Sequence, residues 1–198
     1  MLEQTMELWP ADQWDRNRYS STELFDRVLH HHRRMYDVSK PLVLAGYRHA
    51  LDVWQWVLRL NPKASLTLQL AALFHDIARL RKEVDLRVDS FEDAEDKCAA
   101  EIAREALTEA GVPKPVRIRA AELVAAHERQ LNDDDVALLN DAGALSFFAL
   151  HSSGFVDDFG PEAARQTIAS TWRRMRAGAR AKLAQMFLRQ DVRAMLDE

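Results

Sequence analysis

The chain has 198 residues, 47% of them hydrophobic and 29% charged, with a formal net charge of -4. That length suits one domain with its own core and is short for two, and the charge makes no case for the whole chain as a binder of nucleic acid or of an anionic membrane. A lone cysteine, Cys98, excludes an internal disulfide and points to a reducing compartment, while no apolar run approaches membrane-spanning length.

The first residues, MLEQTMELWPADQW, are acidic and lack the basic start and apolar core of a secretory signal, so a cytoplasmic protein is expected. Residues 1 to 20 carry Trp9, Trp14 and Tyr19 without a clear period and read as an extended arm. Ser20, Ser21 or Thr22 can cap a helix running STELFDRVLHHHRRMYDV, with Leu24, Phe25, Val28, Leu29 and His32 on one side. The run His30, His31, His32 cannot converge on one ion, because successive helical residues point about 100° apart. Pro41 opens the next helix, LVLAGYRHALDVWQWVLRL, which ends at Asn61-Pro62. Leu44, Tyr47, Leu51, Trp54 and Leu58 form its apolar stripe, and His49 stands off that stripe near Val53 and Trp56.

From Ser65 onward, the stretch Leu68 to Leu80 (LQLAALFHDIARL) reads as a buried amphipathic helix with His75-Asp76 at its centre. Residues 84 to 90 have no stable period and read as a loop. The pattern FEDAEDKCAAEIAREALTEAG predicts a helix over Phe91 to Ala110, stopped by Gly111 and Pro113. Pro115 starts VRIRAAELVAAHE, in which Ala120, Leu123, Val124 and His127 share a face. After the acidic turn Asn132 to Asp135 comes DVALLNDAGALSFFAL, an apolar helix interrupted by Asn140-Asp141. Gly154, Gly160 and Pro161 mark a break, and the remainder reads as one or two helices split near Gly178 plus a short tail. From Pro161 to Glu198 eight basic residues face four acidic ones, read as a solvated face pairing with acids elsewhere rather than as a nucleic-acid surface. No segment alternates like a strand and no repeat is visible, so the prediction is all-α, a single domain over 1–198.

Four helices each offer a metal-competent position in an apolar setting: His49, His75-Asp76, His127 and Asp141. Imidazole nitrogens and carboxylate oxygens suit divalent transition ions, and ligands from separate helices of a bundle can build such a site. An aspartate inside LLNDAGALSFF is expected to be buried, and a buried carboxylate needs a partner. Each position also has a plainer reading: His49 as a core histidine, His75 and Asp76 as helix-end hydrogen-bonding groups, His127 as a half-exposed residue before Glu128-Arg129.

In this order and with these flanks (YRHALDVW, LAALFHDIARL, LLNDAGALSFF) the sequence resembles the HD superfamily of metal-dependent phosphohydrolases. The resemblance covers Leu42 to Leu150, with the helices of 161–198 outside it. It implies a helical bundle of the HD-domain type with His49, His75, Asp76 and Asp141 as ligands of a first metal. For family members with two metals it implies two further histidines; His127 matches the second, while Glu95 occupies the place of the first. Arg79, three residues after Asp76, stands where many members carry lysine. Arg48, Arg81, Lys82 and His151 are further candidates to line the site, each with a surface role as its alternative.

The resemblance further implies hydrolysis of a phosphate ester of a nucleotide or other small metabolite by metal-activated water. Asp76, His127 and Arg79 would be the catalytic residues: His127 as general acid, Arg79 holding phosphoryl oxygens. The cofactor would be a divalent ion (Mn, Fe, Mg, Zn, Co or Ni), and the partners a small phosphorylated metabolite and a second copy of the chain, with no membrane and no nucleic acid. Two alternatives remain at this level, an HD-type di-iron oxygenase acting on a non-phosphate substrate and a non-catalytic metal-containing module. No Walker loop, Rossmann glycine pattern or nucleophilic serine or cysteine motif competes.

Overall fold

A computed structural model describes residues 23–80, 92–129 and 131–196, with the side chains of 92–96 not described. All regular structure among the described residues is helical. The elements are α1 (Glu23–Arg34), α2 (Pro41–Leu60), α3 (Leu66–Phe74), a 3-10 turn (Ile77–Leu80), α4 (Glu92–Glu109), α5 (Lys114–Ala126), α6 (Asp134–Ser146), a π turn (Phe147–His151), α7 (Ser152–Arg174), α8 (Ala177–Leu183) and α9 (Gln190–Ala194). None of the described helices is long and apolar enough to cross a membrane. The arm over residues 1 to 20, the loop over 84 to 90, Arg81 and Lys82 lie outside the described residues.

Helix α3 is the centre of the packing. Leu68 and the whole run Leu70, Ala71, Ala72, Leu73 and Phe74 are buried, so the second half of the helix is apolar on every side, as an enclosed turn must be. Each large side chain among them contributes about 1.5–3 kcal/mol by leaving water. Its start is set by Ser65, whose hydroxyl accepts the Leu68 N–H at 3.2 Å. Trp54 Nε1 of α2 donates to Gln69 Oε1 at 3.2 Å, and Gln69 Nε2 donates to the Ala64 carbonyl at 3.0 Å. These two bonds fix the register of α3 against α2, and hence of His75 against His49.

Helix α4 ends as its Gly111 suggested. With φ at +76°, Gly111 donates to the Thr108 carbonyl at 3.0 Å and Val112 to the Leu107 carbonyl at 2.9 Å, the paired bonds of a Schellman stop. Two apolar clusters result. Residues of α1 to α6, from Phe25 to Ala142, form the larger, and Leu145, Phe148 and the apolar residues of α7, α8 and α9 form the smaller. Helix α6 belongs to both, with Leu139 and Ala142 facing the first and Leu145 the second.

Several boundaries differ from the sequence reading. Helix α1 stops at Arg34 instead of running to Val38, because Asp37 captures the Ser39 hydroxyl at 2.6 Å and turns the chain. Asn140-Asp141 does not interrupt α6, and Gly154 lies inside α7. The kink in α7 is at Gly160, φ +82°, immediately before Pro161. The separation expected near Gly178 occurs at Met175, and Gly178 is within α8. Much of the basic tail is engaged internally: Arg189 pairs with Asp157 and Asp191 at 2.8 and 2.7 Å, and Arg180 donates to the carbonyls of Trp172 and Arg173.

Candidate metal centre

The α-helical run of α3 does not continue through His75-Asp76. It closes at Phe74 with His75 as its cap, and Ile77–Leu80 wind as a 3-10 turn in which the Arg79 N–H donates to the Asp76 carbonyl at 3.0 Å. In a 3-10 turn the side chains at i and i+3 eclipse. Arg79 is thereby stacked over Asp76, and its Nη1 lies 3.0 Å from Asp76 Oδ2. The pair is therefore at the end of the helix, as its helix-end reading had it, where the tightened backbone releases both side chains toward neighbouring helices.

Three histidines surround Asp76. His75 Nε2 lies 3.5 Å from Asp76 Oδ2, His49 Nε2 lies 3.7 Å from the same oxygen, and His127 Nε2 lies 3.5 Å from Oδ1. His49 and His75 place their Nε2 atoms 3.2 Å apart. One donor atom each from His49, His75 and Asp76 falls within 4.8 Å of the others. Helix α2 supplies the first, the end of α3 the next two, and the end of α5 supplies His127.

The far nitrogen of each ring is held. His75 Nδ1 donates to the Ala72 carbonyl at 2.9 Å and His127 Nδ1 to the Val124 carbonyl at 2.8 Å; a carbonyl can only accept, so these nitrogens carry the hydrogens. His49 Nδ1 meets the Ser146 hydroxyl at 2.9 Å. Fixing Nδ1 while directing Nε2 inward is the arrangement found around metal-binding imidazoles.

The charges divide the group. Burial holds His49 down at about 3, with His75 adding to the shift and Asp76 opposing it, and burial likewise lowers His75. Burial acts to lower His127 as well, but its bond to Asp76 and that carboxylate's charge overcome it and raise the ring to about 9. Asp76 is itself well below the carboxylate range: burial pushes it up, and Arg79, His75 and His127 together outweigh burial. At neutral pH the group thus contains one anion, one proton-bearing imidazole and two neutral imidazoles aimed at each other. His75 Nε2 is a lone pair; if His49 Nε2 is one too, the two repel at 3.2 Å, and a cation between them and the carboxylate would remove that repulsion. The donor set, two imidazole nitrogens with one carboxylate, fits a divalent transition ion.

Not every expected residue joins. Asp141 is buried, as anticipated, but its partner is Arg176: Oδ1 accepts the Arg176 N–H at 2.9 Å and Oδ2 accepts Nε at 2.5 Å. The reason is its position on α6, about 200° around from Leu139 and on the side of Leu145, which faces the smaller cluster. Ser146, on the Leu139 and Ala142 side, occupies the place next to His49 instead. The Glu95 side chain lies outside the described residues. Arg48 is exposed on α2. His151, expected in a loop, sits in the π turn with its ring 5.1 Å from that of His49.

Three supporting residues escaped the sequence reading. Asp52, one turn after His49, is a mostly buried carboxylate in the apolar setting ALDVWQW, the same signal that had singled out Asp141. Ser146 carries no sequence signal at all. Asn140 accepts the Glu128 N–H at 2.7 Å and donates to the Arg129 carbonyl at 3.0 Å. That clamp holds Glu128 at φ +66°, the turn that ends the chain's run past His127. No curated protein and no solved structure matches the chain, whereas residues 32–196 match the family described as Domain of unknown function (DUF4202), and the chain belongs to that family.

Proposed function

We propose that the chain is a metal-dependent hydrolase of the HD type that cleaves a phosphate ester of a nucleotide or other small metabolite. The observation that carries this reading is the convergence of His49 Nε2, His75 Nε2 and an Asp76 oxygen within 4.8 Å, with Nδ1 of each ring held by a hydrogen bond. These three residues would hold the ion, and the order of the motifs along the chain is that of the HD superfamily. A divalent ion bound there supplies an activated water and polarises the phosphoryl oxygen.

The chain's own groups supply the rest. Arg79, about three-fifths exposed at the edge of the group and 3.0 Å from Asp76, orients that carboxylate and places a guanidinium charge where phosphoryl oxygens would approach. His127, raised to about 9, holds a proton on Nε2 at neutral pH and is suited to pass it to a leaving oxygen. Metal content measured on protein purified without a metal-affinity tag, followed by phosphate release from a panel of phosphorylated metabolites, tests the proposal. About one equivalent of metal and a phosphatase activity that both disappear in Asp76→Ala are expected; wild-type protein that takes up no divalent ion would end this reading.

A further inference from the structure

His75 and His127 each donate Nδ1–H to a carbonyl, which settles where their hydrogens lie. His49 differs, because its Nδ1 faces a hydroxyl that can either donate or accept. If Ser146 donates, His49 carries its hydrogen on Nε2, aimed into the group of donors, and cannot ligate. If Ser146 accepts, Nε2 is left as a lone pair. The outcome depends on where Ser146 sends its own proton.

Asp52 supplies the destination. It follows His49 by three residues on α2, its side chain is 12% exposed, and its Oδ2 is fully buried with no hydrogen bond closed. Burial pushes the Asp52 carboxyl above the usual carboxylate range, and the neighbouring Ser146 hydroxyl is the strongest opposing influence, ahead of Arg59 at 4.0 Å and the Trp56 indole. The Trp56 Nε1 on the same face is likewise buried without a closed bond. A carboxylate in such a place has acceptor capacity and few donors, and Ser146 is fully buried beside it.

We propose that Asp52, acting through the Ser146 hydroxyl, is a positioning residue that fixes His49 as the Nδ1–H tautomer and leaves its Nε2 open toward His75 and Asp76. The opposing arrangement has Ser146 donating to Nδ1 and His49 Nε2–H donating to His75 Nε2 at 3.2 Å. It forms a neutral bond between two rings and leaves the buried Asp52 Oδ2 without the Ser146 hydrogen. A hydrogen bond to an ionised acceptor is roughly twice as strong as a neutral one, so the carboxylate decides the direction. Sequence spacing gives the same picture, since residues 49, 52 and 56 share one face of α2.

The consequence for metal binding rests on the hydrolase reading above, whereas the tautomer belongs to the metal-free chain and is measured there. Long-range proton–nitrogen correlation spectra of metal-free, nitrogen-15-labelled protein report which nitrogen of His49 bears hydrogen, with His49→Gln assigning the signal. Wild type is expected to show Nδ1–H, and both Asp52→Ala and Ser146→Ala are expected to move His49 toward Nε2–H, with Ser146→Thr retaining the wild-type state. A wild-type Nε2–H, or an Nδ1–H unchanged in the folded Asp52→Ala and Ser146→Ala variants, overturns the proposal. Cobalt titration of the same samples separates the two readings. An affinity about 10- to 100-fold weaker in Asp52→Ala is expected, and an equal affinity counts against the positioning role. Wild-type protein that binds no cobalt overturns the metal reading and leaves the tautomer result to decide the role of Asp52.

Discussion

Asp141 Oδ1 and Oδ2 accept the backbone N–H and the guanidinium Nε of Arg176, 35 residues further along the chain, and so tie α6 to the start of α8. The carboxylate expected to hold a metal instead anchors the C-terminal helices. Asp141→Ala should therefore destabilise the protein by about 2–3 kcal/mol, less than a fully enclosed pair would cost because Arg176 is nearly half exposed. Metal affinity should change by about twofold or less, where loss of a true ligand costs at least tenfold. Urea unfolding and cobalt titration of one sample check both; a large loss of affinity with unchanged stability would return Asp141 to the metal.

The metal itself should be visible as stability. Protein stripped with EDTA and then given manganese or cobalt at about a hundredfold excess over Kd should gain about 2.7 kcal/mol. For a chain of this size that is a rise in Tm of about 5–10 °C. His75→Ala and Asp76→Ala should gain nothing, and a wild-type shift that persists in both would place the ion elsewhere.

Opposite shifts among the histidines predict a bell-shaped stability profile for the metal-free protein. His127 is raised to about 9 in the fold, so its contribution is complete below about pH 6.5 and is lost as pH rises through 9. His32 and His49 are lowered to about 3, in both cases chiefly by burial, so the unfolded chain takes up protons that the fold refuses. Their contribution is complete above about pH 6.5 and declines as pH falls toward 3; the alkaline limb is on the order of 3 kcal/mol, and the acid limb, with two groups and larger shifts, is the steeper one. Chemical denaturation across pH in EDTA measures the profile, and His127→Gln should flatten the alkaline limb alone.

His32 lies wholly buried among Tyr36, Tyr47 and Phe74, and neither ring nitrogen closes a hydrogen bond. The Leu73 backbone is near enough to oppose the pKa shift without completing one. Removing two unsatisfied buried nitrogens should stabilise, so His32→Leu is expected to gain about 1 kcal/mol at pH 7. A clear loss in thermal unfolding would mean that the ring has a partner worth keeping.

Asn140 holds the turn after His127 through two hydrogen bonds. Asn140→Ala leaves the Glu128 N–H and the Arg129 carbonyl without that partner and should cost about 1–3 kcal/mol. Glu128, at φ +66°, should accept glycine with no loss and reject valine by about 1–2 kcal/mol, because a branched side chain is strained in the left-handed region. Equal tolerance of both in denaturant titrations would show that this turn is not held as described.

What the sequence by itself determined is local. Pro41 at the start of α2 acts through its own fixed φ, and Ser65 capping α3 and Gly111 stopping α4 act through bonds to residues within five positions, so their effect is written where they stand. The order His49, His75-Asp76, His127 was legible for a related reason: each is a polar group in an apolar helical setting, costly to bury without a shared purpose. Only the tertiary structure decided the rest. Helix α6 is apolar on two faces and enters both clusters, so its periodicity does not say which side meets α2 and which meets α8. That choice sends Asp141 to Arg176 and brings Ser146 to His49. It depends on how two packed layers share one helix, a relation between residues dozens of positions apart that no local pattern encodes.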